Sequence, residues 1–463
     1  MTSMASALLA STSPQDPTDV VVEFAPVSPE EVDARARTAR LAQREWVSMP
    51  APARAAALDD VAGRLAAHAE ELTSLMVREV GKPVGEARGE AARSLAIVRY
   101  YAQQVLDPDG ETLPSPDGRS LLMARRAPRG VAGLITPWNF PAAIPLWKAA
   151  PALAYGNAVL LKPAPAATGV AQLLERIVGD ALPMGLFQVL AGGADTAQAI
   201  ISRVDAVSFT GSVGVGGSIV EATARRGIPA QCEMGGQNAS IVLPDADLER
   251  AAATIAGAAM GYAGQKCTAT SRVIVVGDHR AVEEALVTAA EALVVGDPAR
   301  DDVQVGPVIS RSARDAVVAA ADHVRRSGGS VLCGGSPLDR TGHFVGPTIV
   351  SGIGPDHPVA QQEVFGPICS LFQAADVDDA LALANGTPYG LVSAVFTRDL
   401  DVALRAADQL EAGLVRINAA TSGVDFYAPF GGEKASSYGP REQGKAARDF
   451  YTRSRTITVS PWR

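Results

Sequence analysis

Between residues 130 and 243, short apolar segments alternate with amphipathic ones, and that alternation limits the fold more than any other feature of the chain. "GVAGLIT", "NAVLLK", "FQVLAG", "DAVSFTG" and "ASIVL" are brief and rich in Val, Ile, Leu and Phe. Between them, "PAATGVAQLLERIVGDA" and "VGGSIVEATARRG" repeat apolar residues at the three-to-four spacing of a helix. Strands joined through helices pair in parallel and bury both faces of their sheet. The segment therefore predicts a doubly wound parallel α/β sheet. A second run of the same kind spans 247–430, with "SRVIVVG" and "GLVRIN" as strands.

The flanks differ. Residues 29–107 read as helices, "EEVDARARTARLAQREW" and "ARAAALDDVAGRLAAHAEELTSLMVREV", with Gly81-Lys82-Pro83 stopping the second. Residues 108–128 hold a turn-rich stretch and then "SLLMARRA", a strand with no core of its own; "RTITVSPW" near the end reads as another. The opening "MTSMASALLASTSPQDP" has neither the basic start nor the long apolar run of a signal peptide and reads as a frayed tail.

At 463 residues, roughly three domains are expected. A net charge of −9 argues against nucleic acid or an anionic membrane as partner, and the arginine pairs 125–126, 225–226 and 325–326 read as solvated faces. The apolar stretch 131–161 is broken by prolines and Lys148, which excludes a membrane span. The four cysteines, at 232, 267, 333 and 369, have no metal or disulfide spacing, so no metal site is expected and a reducing, cytoplasmic setting is the simplest reading.

Cys267, in "GQKCTATSR", taken alone reads as a small buried hydrophobe. A nucleophilic thiol needs a lowered pKa, a group that takes up oxyanion charge, and usually a base. "TPWNFP" presents Asn139 on a loop stiffened by two prolines, suited to an oxyanion donor or simply to a turn. "EMGG" sets Glu233 at a strand end beside two glycines, as a rim carboxylate or as a general base.

In order along the chain, "TPWNFP", "LLKPA", "SFTGS", "EMGGQN", "GQKC", "EVFGP" and "PFGGEKASSYGPREQG" resemble the signature motifs of the NAD(P)-dependent aldehyde dehydrogenase superfamily, and the resemblance covers nearly the whole chain. It implies an aldehyde dehydrogenase-like α/β fold, with two doubly wound domains and a β-strand oligomerisation arm. The implied cofactor-binding domain is 1–109 (helical) plus 129–236 (Rossmann-like), with a return at 432–446. The implied catalytic domain is 237–431, and the arm is 110–128 with a strand at 447–463.

The resemblance also implies roles. Cys267 matches the nucleophile, Glu233 the base that activates water, and Asn139 the oxyanion donor. Lys148 and Glu442 match groups that tune or relay protons. Ile135, Thr136, Pro137, Trp138, Lys162, Ala164, Pro165, Phe209, Thr210, Gly211, Ser212, Met234, Gly235, Glu363 and Phe365 match cofactor contacts, with Lys162 at the adenosine ribose and Ser212 at the pyrophosphate. Phe140, Trp147 and Phe426 match the substrate pocket. A homodimer or homotetramer acting on a small aldehyde is implied.

Three departures bear on specificity. Pro165 stands where NAD-preferring members often carry a ribose-binding glutamate, so NADP as well as NAD is expected as cofactor. Trp147 replaces the arginine that some semialdehyde dehydrogenases use for a substrate carboxylate. The segment that holds it, "AAIPLWKAAPALAYGN", together with "GQKCTATSRVIV", "NAATSGVDF" and "FGGEKASSYGPREQG", resembles the bacterial branch that oxidises 2,5-dioxopentanoate, although Tyr427 stands where that branch often has histidine. Arg272 and Arg441 are the candidate carboxylate partners. Broad aliphatic or aromatic specificity, transfer to coenzyme A, and a non-enzymatic scaffold are the alternatives; Glu233 argues for hydrolysis over transfer.

Overall fold

The computed structural model describes residues 8–423 and 425–462. The first α/β run forms a sheet of six described strands, in the order Ser437–Tyr438, Ala230–Glu233, Ala206–Thr210, Val131–Ile135, Ala158–Lys162 and Phe187–Val189. Its pairings are parallel except at Ser437–Tyr438, where Ser437 lies antiparallel opposite Glu233. The central strands are buried along their whole length, as helices on both faces require.

The second run forms a sheet of seven described strands: Ser330–Cys333, Thr348–Ser351, Ile368–Ala374, Thr270–Val276, Asn238–Val242, Val392–Phe396 and Leu414–Ile417. Only the edge strand Ser330–Cys333 is antiparallel. "ASIVL", read above with the first run, belongs here: Asn238–Val242 pairs with Thr270–Val276 and Val392–Phe396. Hydrophobic period cannot reveal the sheet change, because a buried parallel strand reads the same in either sheet. Each sheet carries its own apolar core.

Other expectations are corrected. The second helical run is two helices, Ala51–Ala67 and Ala69–Val80, parted at His68 with φ −103 and ψ 14. The apolar stripe runs in phase across the break and hides it. Gly81 ends the second helix in the left-handed conformation, φ 63. The opening is not frayed where it is described, since Leu9–Thr12 pairs antiparallel with Val20–Phe24. Polar contacts hold the turn, His343 N donating to Pro14 O (2.9 Å) and Gln15 Nε2 to Val77 O (3.1 Å). Residues 1–7 of that stretch lie outside the described residues. Of the arginine pairs, Arg226 is tied to the carbonyls of Ile201 and Val204, and Arg126 pairs with Asp449 at 2.7 Å.

A third sheet stands apart, with Gly110–Leu113, Leu121–Pro128 and Thr452–Val459 antiparallel. Residues Ala447–Tyr451 are a short helix that buries Ala447, Phe450 and Tyr451, so the final strand starts at Thr452. No helix among the described residues is long and apolar enough to cross a membrane.

The two large sheets set the site between them. Asn139 and Glu233 follow strands of the first sheet, at its carboxyl ends. Asn238, Cys267 and Glu363 begin or precede strands of the second, at its amino ends.

Candidate active site

Cys267 sits in a turn that the backbone would not adopt unaided. The helix Leu248–Met260 ends at Gly261, and Tyr262, Ala263 and Gly264 follow at φ 54, 53 and 64. Two consecutive non-glycine residues in this region cost about 1–3 kcal/mol each. Packing holds them: Tyr262 is fully buried, and its hydroxyl donates to Val80 O at 3.3 Å. Gly264 is obligatory, since a Cβ there would meet Gly366 O at 2.2 Å. Beyond the turn, Gln265 donates to the carbonyls of Tyr262 and Pro307 and accepts from Ile309 N. Asn238 Nδ2 donates to Cys267 O (2.8 Å) and Ala269 O (2.7 Å). The nucleophile candidate is thus anchored on both sides.

Around it the fold gathers residues far apart in sequence. Asn139 Nδ2 donates to Gln265 O at 2.9 Å, which leaves its second N–H for another acceptor. Glu363 Oε1 accepts from Gly236 N at 3.1 Å, and a Cβ on Gly235 would overlap that carboxylate. Burial pushes Glu363 up to about 7. The lowered pKa expected of a nucleophilic thiol is not found: burial, then the charges of Glu363 and Glu233, push the Cys267 thiol up to about 12, so the resting thiol is protonated at neutral pH. Glu233 is 3 % exposed, and its Oε2 accepts from Ser437 Oγ at 2.5 Å. Burial and the nearby Glu442 hold its carboxyl well above the usual carboxylate range. A carboxylate so shifted is a far better base near neutrality than a solvated one.

Two buried Lys–Glu pairs flank this group. Lys148 Nζ contacts Glu442 Oε1 and donates to Ser208 Oγ (2.8 Å), while Glu442 Oε2 has no partner among the described residues. Lys82 pairs with Glu90, whose Oε1 also accepts from Ala142 N and Ala143 N, both at 2.9 Å. Glu90 thereby caps the helix Ala143–Ala154 that carries Trp147 and Lys148. Lys82 Nζ lies 3.8 Å from the Phe140 ring centroid.

Two cavities open here. One of about 1050 Å³ is lined by Ile135, Thr136, Pro137, Lys162, Ala164, Pro165, Phe209, Thr210, Gly211 and Ser212, all expected cofactor contacts, and also by Gly193, Ala194, Arg225 and Arg226. It fits a dinucleotide on its own features. Thr136 Oγ1 and Thr210 Oγ1 are buried without partners among the described residues. Among the described residues Lys162 Nζ reaches only the carbonyls of Pro163 and Gly192, and the helix Val213–Arg226 starts at Ser212 with no side-chain cap, leaving N–H groups for an anion. Burial lowers the Lys162 amine to about 8.

The second cavity, about 270 Å³, holds Cys267 with Phe140, Trp147, Phe430, Glu86, Glu90, Arg93 and Lys266. Trp138, Met234, Gly235, Glu363 and Phe365 do not line the large cavity. Gly235 and Glu363 lie at the Cys267 end, and Trp138 packs edge-on against Phe365, with centroids 5.8 Å apart. Phe426 does not line this cavity and packs edge-on against Tyr100, whereas Phe430 lines it. Arg272 is buried, donating to Leu383 O, and Arg441 bonds Gly432 and Glu433; neither lines the Cys267 cavity.

Sequence reading did not single out Asn238, Ser437, Lys82, Glu90 or Arg93. Glu90 had a signal, being a charge on the stripe Ala87, Ala91, Ser94 and Ile97, all buried in Val84–Gln104. Among the described residues, no group of three or more His, Cys, Asp or Glu side chains forms a metal site.

Comparison with known proteins agrees with this geometry. A model of the aldehyde dehydrogenase family matches residues 2–457. The chain is 39% identical over 458 residues to an alpha-ketoglutaric semialdehyde dehydrogenase of Bacillus subtilis, covering 97% of this chain and 94% of that one. It is 34% identical over 421 residues to a 2,5-dioxopentanoate dehydrogenase of Saccharolobus solfataricus, covering 89% and 88%. The crystal structure of an NAD-dependent aldehyde dehydrogenase from Sinorhizobium meliloti superposes with a TM-score of 0.94 at 33% identity, over 98% of this chain and 93% of that one. With its cysteine turn, buried glutamates and strand-end groove, the chain belongs to the aldehyde dehydrogenase family.

Proposed function

We propose that this aldehyde dehydrogenase oxidises a carboxylated semialdehyde, 2,5-dioxopentanoate or a near analogue, to the acid by covalent catalysis at Cys267. The observation that supports the mechanism is the hydrogen bond of Asn139 to Gln265 O, two residues before Cys267, together with the charges of Glu363 and Glu233 that act on the Cys267 thiol. The likeness over nearly the whole chain to relatives named for that substrate supports the substrate class.

In this reading Glu233 accepts the Cys267 proton, since the thiol is protonated at rest and needs a base. Sγ bonds to the aldehyde carbon while the carbonyl π pair moves onto oxygen. Asn139 Nδ2 and the Cys267 backbone N–H donate to that oxyanion, and a fixed amide here needs little reorganisation. What a bound nicotinamide dinucleotide supplies is a two-electron acceptor for the C–H pair, which leaves a thioester on Cys267. Glu233 then takes a proton from water as its oxygen adds to the thioester. Collapse of that adduct breaks the C–S bond, releasing the acid and the thiolate. Glu442, with one carboxylate oxygen unpartnered beside Lys148, receives the proton Glu233 must shed.

Lys162, Thr136, Thr210 and the helix start at Ser212 would hold NAD, the dinucleotide named for the Sinorhizobium structure. NADP is accepted as well: Pro165 brings no carboxylate against a 2′-phosphate, and Lys162 supplies a cation. We assign the first sheet to a dinucleotide domain and the second to a catalytic domain; the separate apolar core of each supports the division. The detached third sheet is an arm covered by a second copy of the chain, since Leu113, Leu121 and Val459 are exposed on it. We place the enzyme in the cytoplasm on its unpaired cysteines.

The test is initial rates for 2,5-dioxopentanoate, pentanal and benzaldehyde with each dinucleotide, with and without coenzyme A. The reading expects the dioxo acid to lead in kcat/KM and coenzyme A to make no difference. The aromatic wall of Phe140, Trp147 and Phe430 favours a second reading, uncharged aldehydes, which gains if benzaldehyde leads.

A further inference from the structure

The Cys267 cavity has one ionic charge too many. Glu86 pairs with Lys266 at 2.7 Å and Glu90 with Lys82, which neutralises both acidic groups of the wall. Arg93, half-buried on the helix Val84–Gln104, lines the same cavity and has no ion-pair or hydrogen-bond partner among the described residues. Trp147 is 5 % exposed in the facing helix, lines the cavity too, and its Nε1 is buried without a partner among the described residues. A buried donor left unmatched is costly unless a ligand matches it. The rest of the wall is aromatic, from Phe140 and Phe430, and suits a short methylene chain.

We infer that Arg93 and Trp147 form the specificity end of the substrate pocket, with the guanidinium binding the distal carboxylate and the indole N–H donating to the 2-oxo oxygen of a 2-oxo-acid semialdehyde. This rests on the reading of Cys267 as the nucleophile, which fixes the aldehyde end. The chain between the ends is short, as a five-carbon substrate spans only about 5 Å from terminal carbon to terminal carbon. It also explains how the pocket reads a carboxylate although Arg272 and Arg441 do not line it: the cation comes from a different helix.

The experiment compares kcat/KM for 2,5-dioxopentanoate, 5-oxopentanoate and pentanal in the wild type, R93M, R93K and W147F. Losing a charge-assisted hydrogen bond removes roughly 10- to 100-fold of discrimination. For R93M, the ratio of 5-oxopentanoate to pentanal should fall by that much, mainly through KM, with R93K restoring part of it. For W147F, the ratio of 2,5-dioxopentanoate to 5-oxopentanoate should fall about tenfold. Unchanged ratios in R93M and W147F, in an enzyme whose wild type favours the acids, overturn this inference and leave the proposed function standing. A wild type that favours pentanal overturns both.

Discussion

The two cavities that meet the candidate site are built by different means. The large one takes its form from strand ends, a helix start and backbone carbonyls, with few ionisable groups. The small one is held by side chains: Asn139 reaches Gln265 O and Lys266 reaches Glu86 across more than a hundred residues, while Lys82 pairs with Glu90 eight residues on. A groove made of backbone tolerates side-chain replacement, whereas a pocket made of paired charges does not. Binding is therefore the robust property and chemistry the fragile one.

The largest expected effect separates the two. C267A should lose about a thousandfold or more in turnover, yet bind dinucleotide within about twofold in a fluorescence titration. Loss of dinucleotide binding in C267A would mean that the cavities are one coupled unit.

Next comes the Lys82–Glu90 pair. K82M leaves Glu90 charged, buried and without its counter-ion, and breaking a buried pair in this way costs about 3–5 kcal/mol. Urea denaturation should show that loss, with kcat reduced as well because Glu90 caps the helix of Trp147 and Lys148. A change below about 1 kcal/mol would contradict the view that this pair holds the pocket together.

The third prediction concerns ionisation at the cysteine. Its pKa is raised to about 12, so the thiolate is scarce at neutral pH and grows tenfold per pH unit until that value. Alkylation of Cys267 by iodoacetamide, followed on the free enzyme, should rise log-linearly between pH 7 and 10. A plateau below pH 9 would show a thiol activated at rest. E363Q, which removes the charge that raises the thiol most after burial, should speed the reaction at pH 8.

The smallest effect belongs to the backbone-built groove. K162A should raise KM for dinucleotide by about tenfold or less, with kcat little changed. Lys162 is lowered to about 8, so its charge is present below that pH and lost above it. The KM for NADP relative to NAD should therefore climb as pH passes through 8, and a flat ratio would remove Lys162 from 2′-phosphate recognition.

The same contrast governs what could be read in the sequence. Strands of both sheets were legible because a buried parallel strand is a continuous apolar run, and the residues of the large groove were legible because they follow those strands directly. Cys267, Glu233 and Asn139 were recognisable through the motifs that hold them. Asn238 lay in plain view in "EMGGQN", but nothing local signals that its amide would clasp the carbonyls of Cys267 and Ala269. Ser437 meets Glu233 only because a two-residue strand returns to the edge of the first sheet, a pairing too short to leave a hydrophobic period. Phe426 and Phe430 could not be told apart by pattern, since both lie in the irregular stretch before the return strand. The transfer of Asn238–Val242 to the second sheet was hidden for the reason given above, that strand type does not encode sheet membership.

Catalysis turns on a carbon–sulfur bond at Cys267 that Glu233-activated water breaks. The most direct measurement is rapid mixing of E233Q with aldehyde and NAD at pH 10, where more of the Cys267 thiol ionises without a base, quenched in acid and analysed by peptide mass spectrometry. The account predicts reduced dinucleotide no greater than one equivalent per active site in the first phase, slow turnover afterwards, and the acyl mass on the peptide carrying Cys267. Steady turnover at the wild-type rate with no adduct on that peptide would contradict it.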